Sequence, residues 1–115
     1  MTTITVLNIK DIANTDYAFR GWCETTARLF NLNDYKTVYV KTVDTTVSEE
    51  SDCISICDQL YYKSNLGDLE GYSGHSMSVS DVVIISSIFG ARAFYCDTFG
   101  WHLVNSYCSG DEMGL

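Results

Sequence analysis

Three short apolar segments between residues 74 and 104, separated by turn signals, constrain the fold of this chain most strongly. The first, Val82–Ile85, is a β-branched run of the length expected of a buried strand. Gly90 then marks a turn, and an aromatic-rich segment follows at Ala91–Cys96. After a second turn signal the series ends with Trp101–Val104. Strand-like runs joined by turns at this spacing predict an antiparallel β-meander, on which the other segments pack.

Two further strands are predicted before the meander. Thr3–Leu7 has the β-branched, alternating character of a first strand, and Tyr35–Val43 alternates over its whole length. The alternation predicts that the second strand has Tyr35, Thr37, Tyr39, Lys41 and Val43 on one face and Lys36, Val38, Val40 and Thr42 on the other.

Two helices are also predicted. Helical spacing of apolar residues indicates a short helix within Trp22–Leu32. A long helix is predicted to begin near Thr46, because Glu49 three residues later completes a capping-box pattern, and to end near Ser64, with Gly67 beyond it. The predicted fold is therefore α+β, a mainly antiparallel sheet of about five strands with one long and one short helix packed on it.

The length of 115 residues predicts a single domain, for which we expect the bounds 1–107, followed by a C-terminal tail at 108–115. A hydrophobic fraction of 46% is typical of a globular chain. No apolar run approaches the roughly 18 residues of a membrane span, and the N-terminus lacks the basic region of a signal peptide. We therefore expect a cytoplasmic protein.

Five cysteines, an odd number, match no secreted disulfide framework. Because cytosolic thiols normally stay reduced, we expect free and mostly buried cysteines. Only Cys53 and Cys57 have the close spacing of metal ligands, and no second pair of Cys or His lies near them. The sequence therefore predicts neither a metal site nor a cofactor.

The charge of the chain is unevenly distributed. Fifteen acidic residues and seven basic ones give a net charge of −8, and the window from Asp44 to Glu70 carries −6 of it. Such a surface repels nucleic acid and attracts basic protein surfaces. We expect this acidic window, rather than the meander, to bind a partner protein, through Glu49, Glu50, Asp52, Asp58, Asp68 and Glu70.

The segment Gly74–Ser78 is close to the G-x-S-x-G pattern that places a nucleophilic serine in α/β-hydrolases. That pattern needs a strand before the serine and a helix after it, whereas here a glycine-rich loop precedes and a strand follows. A structural role is favoured, in which the serines bind open backbone groups and His75 bonds to Asp81 or Asp97. Alternatively this segment is a partner-binding loop, with candidate residues His75, Ser76, Ser78, Asp81 and Asp97.

Two motifs, GHSMSVSDVV at 74–83 and FYCDTFGW at 94–101, resemble the YodL-like domain, as does DYKTVY at 34–39. The resemblance extends over roughly residues 2–107. Trp101 stands where the family usually has another aromatic residue and Cys96 where it has an aliphatic one, so both keep the pattern. The family occurs in Gram-positive bacteria, their conjugative elements and phages. The resemblance implies a small bacterial domain linked to mobile elements, with relatives that inhibit host proteins, and it carries over no catalytic residue.

Three functions are compatible with these features. The first is a mobile-element-encoded inhibitor of a host defence complex, an anti-CRISPR or antirestriction protein, that blocks the surface on which an RNA-guided nuclease holds nucleic acid. The second, implied by the resemblance itself, is an inhibitor of the bacterial actin-like cell-shape protein. The third, a small serine hydrolase using Ser76, is the weakest, so we expect no enzymatic activity. No direct binding to nucleic acid or membranes is expected.

Overall fold

The structure, a computed structural model, describes residues 1–107 and the side chains of residues 1–104. Within these residues it has five strands and two α-helices. The strands are β1 (Thr2–Ile9), β2 (Tyr35–Val43), β3 (Val82–Ser87), β4 (Gly90–Cys96) and β5 (Trp101–Tyr107). The helices are α1 (Glu24–Leu29) and α2 (Glu50–Leu66), with short 3-10 turns at Ile12–Asn14 and Leu32–Asp34. The predicted α+β fold is confirmed, whereas the predicted tail at 108–115 lies outside the described residues.

The five strands form one sheet in the order β2-β1-β3-β4-β5, and every neighbouring pair is antiparallel. The β-meander predicted from the turn signals is confirmed as β3-β4-β5. The N-terminal strand lies between β2 and β3 and so connects the meander to the rest of the sheet. Among residues 1–107, no helix has both the length and the apolar character needed to cross a membrane.

Both faces of the sheet are covered, which explains the unbroken apolar run of β3. On one face Val83 and Phe94 pack with Cys57 of α2, and all three side chains are fully buried. On the other face Val82 and Tyr95 pack with Tyr17, which belongs to the segment between β1 and β2. We call this the α1 face, because α1 lies within the segment that covers it. A strand buried on both sides needs apolar residues at every position instead of at alternate ones.

The predicted alternation along β2 is wrong at Val38. In the pairing with β1 this residue is an extra one between Thr37 and Tyr39, a β-bulge that shifts the register. Tyr35 therefore packs on the α1 face, while Val38 and Tyr39 both pack on the α2 face. The carbonyl of Val38 accepts hydrogen bonds from the backbone N–H and the hydroxyl of Ser73, at 2.9 and 3.2 Å.

The predicted start of the long helix is also wrong. Glu49, and not Thr46, is the N-cap residue of α2, and its side chain makes no capping hydrogen bond. The physical reason is that the buried hydroxyl of Thr2 binds the backbone on both sides of Thr46, which ties this segment to β1. The predicted end is confirmed, because Gly67 closes α2 in the left-handed conformation, with φ of 74°.

Candidate functional site

Two groups of residues form the candidate site: the acidic window and the loop 74–81 before β3. All six of the acidic candidates are exposed, and none forms an ion pair with any side chain in residues 1–104. They lie at the N-cap and along α2 and in the loop after it, namely Glu49, Glu50, Asp52, Asp58, Asp68 and Glu70. Their charges are therefore available to a partner.

The acidic residues of α2 do not form a single stripe. Asp52 and Asp58 are six residues apart, which places them about 120° apart around the helix. The helix face between them carries Tyr62 and Leu66, which are 66% and 56% exposed, together with the polar residues Ser51, Ser55 and Gln59. The outer surface of α2 is therefore mixed, with carboxylates on both sides of polar residues and two exposed apolar ones.

Asp58 connects the acidic window to the meander, a contact that the sequence did not indicate. Its Oδ1 accepts a hydrogen bond of 2.9 Å from the indole N–H of Trp101, the first residue of β5. Tyr61, three residues further along α2, lies with its ring edge-on to Trp101 and is 39% exposed. The buried stripe of α2 consists of Cys53, Cys57, Leu60 and Ser64, and Tyr61 is not one of its members.

The loop 74–81 is held against the end of α2. Met77 is almost fully buried in the core, and its backbone N–H donates to the hydroxyl of Ser64 at 3.1 Å. The side-chain amide of Asn65 donates to the carbonyl of Met77, and the hydroxyl of Ser76 donates to the carbonyl of Ser64 at 3.5 Å. The loop therefore packs against the last turn of α2 before it leads into β3.

Asp81 is the buried charge of the site. It is 1% exposed, and its Oδ2 accepts the backbone N–H of Ser78 at 2.8 Å. The Nδ1 of His75 lies 3.9 Å from the same oxygen. Burial raises the pKa of Asp81 to about 6, against the smaller opposing effects of the Ser78 N–H and of His75. Two buried oxygen atoms have no hydrogen-bond partner among the described residues: Oγ of Ser78 in the same loop, and Oδ1 of Asn8 in β1.

Two strained residues meet beside this carboxyl. Phe19 and Ser80 are the non-glycine residues with positive φ in residues 1–107, at 63° and 84°. The backbone N–H of Phe19 donates to the hydroxyl of Ser80 at 2.9 Å, and the Phe19 ring lies 6.3 Å from the His75 ring. Such conformations cost roughly 1–3 kcal/mol each and are found at functional sites. No sequence signal distinguishes Phe19, which is 54% exposed.

Asp97 does not join this cluster. Its Oδ1 accepts the backbone N–H groups of Trp22 and Thr98, at 2.9 and 2.7 Å, so it links the β4-β5 turn to the segment before α1. Of the two predicted partners of His75, the structure places Asp81 beside it. His102 stacks on Trp22, with ring centroids 4.7 Å apart, and no hydrogen bond joins a histidine to Ser76 Oγ in residues 1–104. The geometry therefore adds no support to a nucleophilic Ser76.

The cysteines of residues 1–104 are all free, and three of the four are buried. Cys23 is exposed, and Cys108 lies outside the described residues. Cys53 and Cys57 occupy the buried stripe of α2. Across the described part of the chain, no group of three or more potential ligands is placed to hold a metal ion.

Asp81→Asn is expected to change the pH dependence of stability. Because the folded-state pKa lies above the unfolded value near 3.9, the folded state binds the proton more tightly. The contribution of Asp81 to the free energy of unfolding is thus greatest below about pH 4 and falls as pH rises through about 6. The free energy of unfolding of the variant should not fall over this pH range. At pH 7 the variant should be more stable than the parent by at most about 3 kcal/mol.

Thermal melts of the parent and the Asp81→Asn variant at pH 4 and pH 7 check this prediction. The exposed Asp16→Asn substitution provides the control for a general charge effect. Asparagine retains the acceptor for the Ser78 N–H, so the turn is preserved. An equal difference in melting temperature between variant and parent at both pH values would contradict the account of a buried, protonatable Asp81.

Together the fold and the site define a small α+β domain whose single antiparallel sheet is covered on both faces. Its acidic helix and its Gly-His-Ser-Met-Ser loop lie side by side. The family model described as the YodL-like domain matches residues 3–107, and the chain therefore belongs to the YodL-like domain family. This match confirms the resemblance found in the motifs at 74–83 and 94–101. No curated protein and no solved structure matches the chain.

Proposed function

We propose that this protein is a non-enzymatic inhibitor, encoded by a mobile element, that acts in the bacterial cytoplasm. Its target is a host defence protein such as an RNA-guided CRISPR nuclease or a restriction enzyme. The observation that carries the proposal is the set of exposed carboxylates of the acidic window, which have no ion-pair partner among the described side chains. The inhibitor covers the surface that its target uses to hold nucleic acid.

The physical basis of this proposal is electrostatic complementarity. Nucleases hold guide and target strands in positively charged channels that contact the phosphate backbone. Carboxylates spaced along α2 and the following loop present negative charge to the same basic side chains. A field of this kind accelerates encounter and fixes the register of the complex, and close charge pairs add to its lifetime.

An alternative target is the bacterial actin-like cell-shape protein. Membership of the YodL-like family favours this candidate because of the function that the resemblance implies. The exposed Tyr62 and Leu66 on the outer side of α2 also favour it, since exposed large apolar side chains suit a contact with another protein. Hydrolysis by Ser76 is a third candidate, and no observation favours it over these two.

The salt dependence of binding distinguishes the two targets. The protein, immobilised as bait, is offered the purified nuclease complex and the purified actin-like protein, and each dissociation constant is measured between about 0.1 and 1 M salt. Binding to the nuclease should weaken by about tenfold or more over this range, because exposed charge pairs are screened. Tight binding that does not respond to salt contradicts the phosphate-mimic contact and favours the apolar alternative.

A further inference from the structure

A groove of about 230 Å³ lies between α2 and the turn that joins β4 to β5. This volume far exceeds the roughly 10–15 Å³ that a single water molecule needs. Tyr61 from α2 and Trp101 from β5 both line the groove, with ring planes at 83° and ring centroids 6.5 Å apart. Two rings at nearly a right angle form a corner in which a bound group can contact both.

Two carboxyl groups line the same groove, Asp58 on the helix side and Asp97 on the turn side. The Oδ1 of Asp58 accepts the indole N–H of Trp101, which holds the ring against α2. The Oδ1 of Asp97 accepts two backbone N–H groups, which fixes its position in the turn. Neither Oδ2 has a hydrogen-bond or ion-pair partner among the side chains of residues 1–104, and no lysine or arginine lines the groove.

We infer that this groove binds the guanidinium group of an arginine side chain presented by a partner protein. Aromatic faces attract cations through the charge distribution of their π-electrons. A guanidinium can stack on one ring while its in-plane N–H groups donate to the carboxylate oxygens that remain open. An anion would be repelled here, and an apolar side chain would bury the two carboxylates without a partner. The planar, weakly hydrated guanidinium fits such a corner better than the compact, strongly hydrated ammonium of lysine.

This inference deepens the proposed function, and its meaning as an inhibitory contact rests on that function. Asp58 is both a member of the acidic window and a wall of the groove, so a partner attracted by the window meets the groove at its edge. Arginine is abundant on surfaces that hold phosphate groups, which is the kind of surface proposed for the target. The groove would then receive one arginine of that surface and fix the orientation of the complex.

The binding of a guanidinium is testable without the target. The ¹⁵N-labelled protein is titrated with N-acetyl-arginine amide, and with the uncharged N-acetyl-citrulline amide as the matched control probe. The reporter is the indole N–H resonance of Trp101, which is assigned with a Trp101→Phe variant and separated from that of Trp22. We expect a saturable shift with the arginine probe, and binding of the citrulline probe weaker by about tenfold or more.

Two variants test the walls of the groove. Tyr61→Leu and Asp58→Asn should each weaken binding of the arginine probe by about tenfold, whereas Asp16→Asn, an exposed acid away from the groove, should leave it unchanged. Asparagine at 58 keeps the acceptor for Trp101, and Tyr61 is part-exposed, so both variants should fold, which circular dichroism verifies. Equal binding of the two probes, or arginine binding that survives both variants, overturns the inference.

Failure of the groove and failure of the proposed function give different results. If no saturable shift occurs while target binding remains salt-dependent, the inference that the groove binds a guanidinium is overturned, and the proposed contact through the acidic window is retained. If the arginine probe binds as expected while binding to the target does not respond to salt, the proposed function is overturned, and the inference of a guanidinium site is retained.

Discussion

Replacement of Glu49, Asp52 and Asp58 by lysine is expected to abolish inhibition while the protein remains folded. The three substitutions change the net charge from −8 to −2 and place cations where the proposed contact with the target uses carboxylates. All three side chains are exposed, and the buried stripe of α2 is untouched. Losing the exposed hydrogen bond between Asp58 and Trp101 should cost about 1 kcal/mol. Affinity for the target should fall by about 100-fold or more, since close charge pairs couple by several kcal/mol.

The control for this variant makes the same change of net charge on the other side of the sheet. Lysine at Asp11, Asp16 and Glu24, which are exposed in the segment covering the α1 face, should leave affinity within about threefold of the parent. Ser76→Ala should also leave inhibition unchanged. Binding isotherms and thermal melts measured side by side separate lost contact from lost folding. Parent-like affinity of the first variant contradicts the acidic contact, and equal losses in both triple variants indicate that only net charge matters.

Gly74→Ala is expected to have the largest effect on stability. A methyl group at this position would lie 2.0 Å from Asn8 Oδ1 and 2.6 Å from Val38 Cγ1, and both of these side chains are buried. Glycine is therefore required at position 74 because a side chain does not fit between the loop and the sheet. Overpacking of this kind costs about 2–3 kcal/mol or more, which lowers the melting temperature by roughly 10 °C in a chain of this size.

Gly71→Ala is the matched control for that substitution. Gly71 has φ of 84° and no atom within 4 Å of the position of the added methyl group, so alanine there should cost only the backbone term of about 1–2 kcal/mol. Thermal melts of both variants check the comparison. A Gly74→Ala protein that melts at or above the temperature of Gly71→Ala would show that the loop does not pack on Asn8 and Val38.

Much of the fold could be predicted because its signals are local. The apolar runs and turn residues of the meander, and Gly67 at the end of α2, depend on neighbours within a few positions. The bulge at Val38 could not be predicted, because it depends on how β2 pairs with a strand about thirty residues earlier. The capping box at Thr46 failed for the same kind of reason, since a bond to Thr2 competes with the local pattern.

The candidate site, like the fold, could be predicted from the sequence only in part. The exposure of the acidic side chains follows from their charge, and sequence alone predicts it. The contacts that shape the site join distant residues: Asp58 with Trp101, Phe19 with Ser80, and Gly74 with Asn8. Composition and periodicity carry no information on such pairs, because these contacts form only when segments distant in sequence pack together in the folded chain. The groove lined by Tyr61 and Trp101 was therefore visible only in the structure.

Carboxyl-group footprinting shows whether the acidic window contacts the target. The carboxyl groups of the free protein and of its complex with the captured target are labelled with a carbodiimide and an amine, and the labelled residues are quantified by mass spectrometry. We expect reduced labelling in the complex at Glu49, Glu50, Asp52, Asp58, Asp68 and Glu70, and unchanged labelling at Asp11, Asp16 and Glu24. Unchanged labelling across the acidic window, with protection confined to the α1 side of the sheet, would contradict the proposed contact.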